Sequence, residues 1–291
     1  MNKDIKTLLH FPREYFDGNA ATYRYGLDDF ILQREKDLKD TFGRFVFSEK
    51  TDTELQVLAI GSADGTRDIP IIDTLVSKFS SMKYIVVDPS AKSVQKFQDL
   101  VKSKQELGLW KRADFEFHPT SVEEYLREAE VGKAPDGYDI IHLQHSAYYL
   151  ADPDNIFVEL HGKLNAGGML FTMLGVGAWE EINRRIANII PEPLFPGSAA
   201  LRELLQRCIP DVKIQTRYRK RSFKANELFK EESKDGNILL DFIFYIYNFR
   251  KSAPPEVVSD LMEFLRECCY DINGDLYFPA DDEDIVVIKA L

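Results

Sequence analysis

The sequence has few cysteines and no long apolar run. Its 291 residues include three cysteines, Cys208 and the adjacent Cys268 and Cys269, and their spacing is that of neither a zinc site nor a disulfide framework. We therefore expect reduced thiols, no metal and a cytoplasmic location. No apolar stretch approaches the roughly 18 residues that a membrane-spanning helix needs, and the first residues lack an apolar segment of signal-peptide length. These absences predict a protein with no membrane partner.

Positive charge is also scarce. The 37 lysines and arginines are outnumbered by 48 aspartates and glutamates, which gives a net charge of −11. This balance argues against a nucleic-acid partner and suits a small, cationic substrate. The basic run from Arg217 to Arg221 is an exception. It could contact nucleic acid, but its alternation with Tyr218 along a predicted strand favours a solvated face.

What the sequence does contain is the pattern of a nucleoside-binding βαβ unit. The apolar run 55–60 predicts a buried strand, the small-residue turn Gly61–Gly65 (GSADG) follows it, and a second apolar run ends in Asp88. Glycines let the backbone approach a ligand, and an acid at the tip of the second strand can accept hydrogen bonds from ribose hydroxyls. A tight turn in an ordinary α/β domain is the alternative interpretation.

The glycine turn differs from the G-x-G-x-x-G pattern that binds pyrophosphate, because Ala63 occupies the position of the middle glycine. It is closer to the G-x-G-x-G turn of methyltransferases that depend on S-adenosylmethionine (SAM). Asp64 would repel a pyrophosphate, whereas SAM carries a sulfonium and an ammonium group. The turn therefore favours SAM and disfavours a nicotinamide-dependent oxidoreductase.

Predicted strands and helices alternate through the chain. The strands are 55–60, 83–88, 113–118, 138–144, 169–174, 212–223 and the final IVVIKAL; the helices are 67–80, 90–107, 121–130, 153–164, one headed by Trp179, one capped by Ser198, 227–249 and one opening at Ser252. This alternation predicts an α/β fold with a doubly wound, mostly parallel, seven-stranded sheet. We expect a SAM-binding core at 51–175 and a substrate-side region at 176–291. Residues 1–50 would form a helical lid, or else a helix packed on the core.

Ligands of an open α/β sheet bind at the carboxyl ends of its strands. The residues expected there are Gly61–Gly65, Asp88, His118–Ser121 and Gln144–Tyr149. His145 is the best single candidate for a base, because histidine titrates near neutral pH. An equally good interpretation is that His145 only orients the substrate or closes a turn. His142 lies on the other side of the strand pattern and is predicted to be core.

Six longer segments carry a more specific signal: IGSADGTRDI, VVDPSAKSVQKFQDLV, YDIIHLQHSAYYLAD, the GAW at 177–179, LLDFIFYIYNF and SAPPEVVSDL. Together they resemble the histamine N-methyltransferase family along nearly the whole chain. The resemblance implies a Rossmann-like methyltransferase fold, SAM as methyl donor without a metal, a monomer, and transfer to a nitrogen atom. With the turn pattern, it assigns SAM contacts to Gly61, Ser62, Gly65, Asp88, Ser93, Thr120, Ser121, Val122 and Gln144. It places an aromatic substrate pocket at Tyr148, Tyr149, Trp179 and Phe242.

Three polar contacts to the substrate depart from the family pattern. Tyr23 stands where the family has a glutamate, His145 replaces a glutamine, and the stretch Pro279–Asp282 replaces an asparagine. A site built to hydrogen-bond one ligand rejects ligands that leave its groups unpaired. We therefore expect an acceptor other than histamine, or histamine bound differently, with Asp281 or Asp282 pairing with a cationic end of the substrate. The acidic cluster that contains them could also be a solvated turn.

The sequence thus predicts a SAM-dependent N-methyltransferase for a small amine or imidazole-type metabolite. Two alternatives of the same fold stay open. One is an O- or S-methyltransferase. The other is a non-catalytic SAM- or metabolite-binding protein, which the degenerate glycine turn and the altered acceptor contacts would suit.

Overall fold

The computed structural model describes residues 5–8, 28–44, 54–128, 135, 137–191 and 194–290. The described chain divides into two compact units. The sheet unit comprises Gln33–Leu174, Leu201–Arg217 and the described residues from Asp284 onward, and the second unit comprises the described residues up to Leu32 with Gly175–Ala200 and Tyr218–Glu283. Within the described residues, no helix is both long and apolar enough to cross a bilayer.

The main sheet has seven strands. They are β1 (Leu55–Ile60), β2 (Met82–Val87), β3 (Ala113–His118), β4 (Tyr138–Gln144), β5 (Leu164–Gly175), β6 (Ile214–Arg219) and β10 (Asp282–Ile288), in the order β3-β2-β1-β4-β5-β10-β6. Strands β1 to β5 pair in parallel. Gly168 bonds to Lys289 and Val176 to Asp281, so β5 and β10 run antiparallel. The predicted seven-stranded, mostly parallel α/β sheet is confirmed.

A helix precedes β1, further helices connect the parallel strands, and others follow β5. They are α1 (Asp28–Arg44), α2 (Ile69–Lys78), α3 (Ala91–Glu106), α4 (Val122–Glu128) and α5 (Pro153–Gly162), followed by α6 (Ala178–Ile186) and α7 (Ser198–Cys208). The apolar strands are buried on both faces, as parallel strands under crossover helices must be. The core between β1, β2 and α2 contains Val57, Ala59, Ile71, Ile72, Tyr84 and Val86.

The last turns of α1 belong to this core. Leu38 and Phe42 are fully buried, and the Phe42 ring lies 5.1 Å from that of Phe171 in β5. These turns of α1 therefore pack on the core, and the lid predicted for residues 1–50 stays a prediction. Most of the segment that precedes α1 lies outside the described residues.

The second unit contains a three-stranded sheet that the sequence did not predict. Strands β7 (Ser222–Lys224), β8 (Tyr270–Ile272) and β9 (Asp275–Pro279) pair antiparallel in the order β7-β9-β8. The single strand predicted at 212–223 is wrong, because β6 and β7 belong to different sheets. The turn between β8 and β9 is Asn273-Gly274 with both residues at positive φ, which is typical of a tight hairpin.

The continuous helix predicted at 227–249 is also wrong. The chain forms a 3₁₀ turn at Asn226–Phe229, then α8 (Lys234–Phe244), a break, and α9 (Phe249–Ser252), before α10 (Pro255–Cys268). Tyr245 and Asn248 adopt left-handed conformations with φ of 56° and 49°, which end an α-helix. In the break, the backbone of Tyr245 and Tyr247 pairs with that of residues 6–8.

Candidate functional site

The glycine turn is built by left-handed backbone at three positions. Gly61, Ala63 and Gly65 have φ of 69°, 51° and 76°. A Cβ on Gly61 would lie 2.3 Å from that of Ser146, and a Cβ on Gly65 would lie 2.2 Å from the ring of Phe97. Both glycines are therefore required by the packing of the turn itself. Ala63 holds a conformation that costs an L-residue roughly 1–2 kcal/mol.

Asp88 ties the second strand to this turn. One oxygen of its carboxylate accepts the backbone N–H of Ala63 at 2.9 Å, and the other accepts that of Ser90 at 2.9 Å. A carboxylate offers about four acceptor positions, so these bonds fix its orientation at the carboxyl end of β2. The sequence expectation that the turn and the acid converge is met within the sheet unit.

The hydroxyl residues assigned to the cofactor lie at the beginnings of two helices. Ser90 caps α3 by accepting the N–H of Ser93, whose own hydroxyl donates to Ser90 at 2.9 Å. Ser121 accepts the N–H of Glu124 at 3.2 Å, which caps α4. Thr120 donates to the Glu124 carboxylate, and Val122 is buried. Each of these positions lies in the segment that follows β2 or β3, and their assignment to the cofactor stays a prediction.

Gln144 belongs to a buried polar network that sequence reasoning missed. Its Nε2 donates to Oδ1 of Asp68 at 3.0 Å. The Tyr84 hydroxyl lies 3.2 Å from Oδ2 of Asp68 and 2.7 Å from Nε2 of His142. Burial raises the pKa of Asp68 to about 7 and lowers that of His142 to about 3. The position of Asp68 after the glycine turn was the available signal, because that is where the next helix begins.

His145 follows β4 with a left-handed φ of 53° and donates its N–H to the carbonyl of Met173 at 3.0 Å. Its Nε2 lies 3.0 Å from a terminal nitrogen of Arg34 in α1. A guanidinium can only donate hydrogen bonds, so Nε2 must be the acceptor. His145 is therefore neutral in this arrangement, with its proton on Nδ1. Arg34 could not have been found from sequence spacing, since it is 111 residues away.

The predicted aromatic residues lie in both units. In the sheet unit, the ring of Tyr148 lies 6.3 Å from that of His145 in a stacked orientation, and Tyr149 is 49% exposed. In the second unit, the Trp179 ring meets Phe278 edge-on at 5.5 Å. The ring centroids of Phe242 and Tyr245 lie 6.1 Å apart. Tyr23 lies outside the described residues.

The two aspartates of the acidic stretch are already engaged. Asp282 forms an ion pair with Arg221 at 3.0 Å, in which both side chains are 2% exposed. Asp281 accepts the N–H of Arg221 at 2.7 Å and the hydroxyl of Tyr218. Because Arg219 and Arg221 are buried, the solvated face predicted for this basic run is wrong for these two residues. A charge this deeply buried needs its partner, so Asp282 is unsuited to binding a substrate cation.

Comparisons with known proteins agree with the fold. No protein-family model matches the chain. Histamine N-methyltransferase B of Xenopus laevis is 24% identical over the full length of both chains, and the Bos taurus histamine N-methyltransferase is 23% identical over 77% of each. The YcgJ protein of Bacillus subtilis shares the fold with a TM-score of 0.55 and 15% identity, covering 89% of this chain and 99% of that one. The plantazolicin methyltransferase BpumL, solved in complex with SAH, gives a TM-score of 0.50 at 12% identity, covering 95% and 93%.

Proposed function

Because the chain is a SAM-dependent methyltransferase related to the histamine N-methyltransferases, we propose that it methylates a nitrogen of a small amine or imidazole-type metabolite. The observation that carries this proposal is the bond between the Asp88 carboxylate and the glycine turn, because it joins the two parts of a nucleoside site. We further propose that the enzyme is a cytoplasmic monomer.

The residues of the sheet unit fit SAM. Gly61, Ala63 and Gly65 form a turn of left-handed backbone, Asp88 presents a fixed carboxylate for the ribose hydroxyls, and Gln144 has a buried oxygen with no hydrogen-bond partner among the described residues. We propose that Ser62, Ser93, Thr120, Ser121 and Val122 complete this site. When bound, SAM supplies an electrophilic methyl group on a sulfonium.

On the acceptor side, we propose that His145 orients the substrate and does not remove a proton. Its Nε2 lone pair already accepts a hydrogen bond from Arg34, and a protonated ring would face the guanidinium charge across 3.0 Å. A neutral amine or azole nitrogen needs no base in order to attack. What the protein must supply is orientation of that nitrogen and exclusion of water.

The rest of the acceptor site is proposed from the family resemblance. Tyr148, Tyr149, Trp179 and Phe242 would contact a planar ring or a cationic amine, and Tyr23 would take the place of the family's glutamate. Asp281 stays in the proposal as a half-buried carboxylate. Asp282 is left out, because its charge is balanced by Arg221.

A substrate panel tests the proposal. The purified protein is incubated with methyl-labelled SAM and with histamine, histidine, carnosine-like dipeptides, aryl-ethylamines or short aliphatic amines, and mass spectrometry locates the added methyl group. We expect label on a nitrogen of at least one amine or azole. Label only on hydroxyl compounds would favour an O-methyltransferase. Binding of SAM without turnover of any compound would favour a non-catalytic protein.

A further inference from the structure

The side chain of Gln144 is held at one end and unpartnered at the other. Its Nε2 donates to Oδ1 of Asp68 at 3.0 Å and lies 3.5 Å from the carbonyl oxygen of Arg67. Gln144 is only 6% exposed, and its Oε1 is buried. This oxygen nevertheless has no hydrogen-bond partner among the described residues. A buried acceptor without a donor is costly, so Oε1 is expected to meet a donor when the site is filled.

Asp68 fixes the orientation of the Gln144 amide, that is, the directions in which its NH₂ group and its Oε1 point. Asparagine and glutamine amides are oriented by their hydrogen-bond network. An ionised carboxylate accepts and cannot donate, so the amide must turn its NH₂ group toward Asp68. The Tyr84 hydroxyl lies 3.2 Å from the other carboxylate oxygen. Oε1 is thereby left on the corner of the amide that points away from Asp68.

This unpartnered oxygen lies at the edge of the sheet where the glycine turn begins. Gln144 is the last residue of β4, and the preceding Leu143 pairs with Ile60 of β1, so Gln144 is level with Gly61. Arg67 and Asp68 follow the same turn, at the start of α2. The amide therefore links the end of β4 to the beginning of α2, the helix that follows the cofactor turn.

We propose that Asp68 is a positioning residue, which holds the Gln144 amide so that Oε1 accepts a hydrogen bond from the ammonium group of SAM. The inference rests on the proposed function, since it takes SAM as the ligand. The ammonium is the donor of matching chemistry, because an amide oxygen accepts well from a cation. In this assignment the adenosine half of SAM does not contact the Gln144 amide.

Protonation of Asp68 would remove the constraint on the orientation of the Gln144 amide. A neutral carboxyl can donate to Oε1, and the amide can then turn its NH₂ group toward the ligand, where it repels the ammonium. The groups that face Asp68 are the Ser62 hydroxyl from the glycine turn, Tyr84 from β2, Gln144 from β4, and the charges of Arg67 and Asp88; His142 faces Tyr84. Burial raises the pKa of Asp68 to about 7, so SAM affinity should fall as the pH drops below this value.

The test compares two ligands by calorimetry. SAM has the ammonium, whereas 5′-methylthioadenosine lacks the whole amino-acid half. Both are titrated into the wild type, Asp68→Asn and Gln144→Met from pH 6 to pH 8. The matched controls are Asp99→Asn and Gln95→Leu, because Gln95 and Asp99 form the same amide–carboxylate pair at 3.1 Å on the exposed surface of α3.

At pH 8 we expect either site variant to weaken SAM binding about tenfold and to change methylthioadenosine binding less than twofold. The ratio of the SAM dissociation constant of Asp68→Asn to that of the wild type should approach one toward pH 6. Taking this ratio also cancels the effect of the titration of SAM itself. Equal weakening of both ligands would mean a structural role and overturn the inference, as would unchanged SAM binding. A wild type that binds neither ligand would refute the proposed function, a distinct result.

Discussion

At the scale of single residues, the role of His145 separates two mechanisms. We predict that His145→Gln, which keeps a hydrogen-bonding side chain but removes any base, retains kcat within about tenfold, since orientation is what the position supplies. Removal of a general base would lower kcat by roughly 10²–10⁴. His145→Leu is the matched control and should raise KM. Steady-state kinetics on the acceptor found in the panel distinguish the outcomes, and a loss of kcat as large in His145→Gln as in His145→Leu would contradict the prediction.

His142 should make the protein sensitive to acid. Its pKa is about 3 in the folded protein because of burial, against roughly 6.5 in an unfolded chain. The unfolded state therefore binds a proton first, and this part of the stability is present above pH 6.5 and lost as the pH falls toward 3. Between pH 6.5 and 4.5 the loss is about 2–3 kcal/mol, at 1.36 kcal/mol per pH unit.

Urea unfolding at several pH values measures this effect. We expect His142→Gln to lose less stability than the wild type over that interval, although lost packing makes it less stable at pH 7.5. Asp68, whose raised pKa acts in the opposite direction, titrates in both proteins and cancels in the difference. A constant difference in the free energy of unfolding from pH 7.5 to 4.5 would refute the assignment.

The alternation of strands and helices located the polar residues at the strand ends, because such residues follow apolar runs. Asp88 lies directly after β2 and Gln144 ends β4, as the sequence predicted, and their contact with the cofactor stays a prediction. The contacts between distant segments could not be predicted. Arg34 reaches His145 and Asp68 reaches Gln144 only after the chain has folded, and no local pattern records such pairs.

At the scale of elements, the break between α8 and α9 has its own capping residue. The buried carboxylate of Asp241 accepts the N–H groups of Asn248 and Phe249, both at 2.9 Å. We predict that Asp241→Ala lowers the free energy of unfolding by about 2–4 kcal/mol, because two N–H groups lose their acceptor. Asp241→Asn keeps one acceptor oxygen and should cost roughly half as much. Urea unfolding of the two variants gives the comparison; equal small losses would show that the break does not depend on this carboxylate.

Element prediction succeeded where periodicity is strong and failed where tertiary contacts decide. The strands 55–60 and 138–144 were predicted with the bounds that the structure has, because buried parallel strands are short apolar runs. The run LLDFIFYIYNF is apolar enough for one helix. The left-handed residues Tyr245 and Asn248, the pairing with residues 6–8 and the Asp241 cap divide it, and none of these is visible in local composition.

At the scale of the whole molecule, binding of SAH, the demethylated cofactor, should raise the free energy of unfolding. A ligand that binds only the folded state adds RT ln(1 + [L]/Kd), about 2.7 kcal/mol at a hundredfold excess over Kd. For a protein of this size, that corresponds to a rise in Tm of roughly 4–5 °C. We expect SAH to produce this rise in the wild type and in Asp99→Asn, and to produce less than half of it in Asp88→Asn, which loses the charge of the carboxylate.

The same measurement examines the consequence of the net charge. A protein with a charge of −11 repels the phosphates of RNA and attracts SAM, whose sulfonium and ammonium outnumber its single carboxylate. We therefore expect a short RNA to leave Tm unchanged at low salt, where electrostatic binding would be strongest.

Hydrogen exchange with SAH present should slow most in the turn Gly61–Gly65 and at the end of β2. Protection elsewhere, or a rise in Tm that Asp88→Asn leaves intact, would move the cofactor away from the glycine turn.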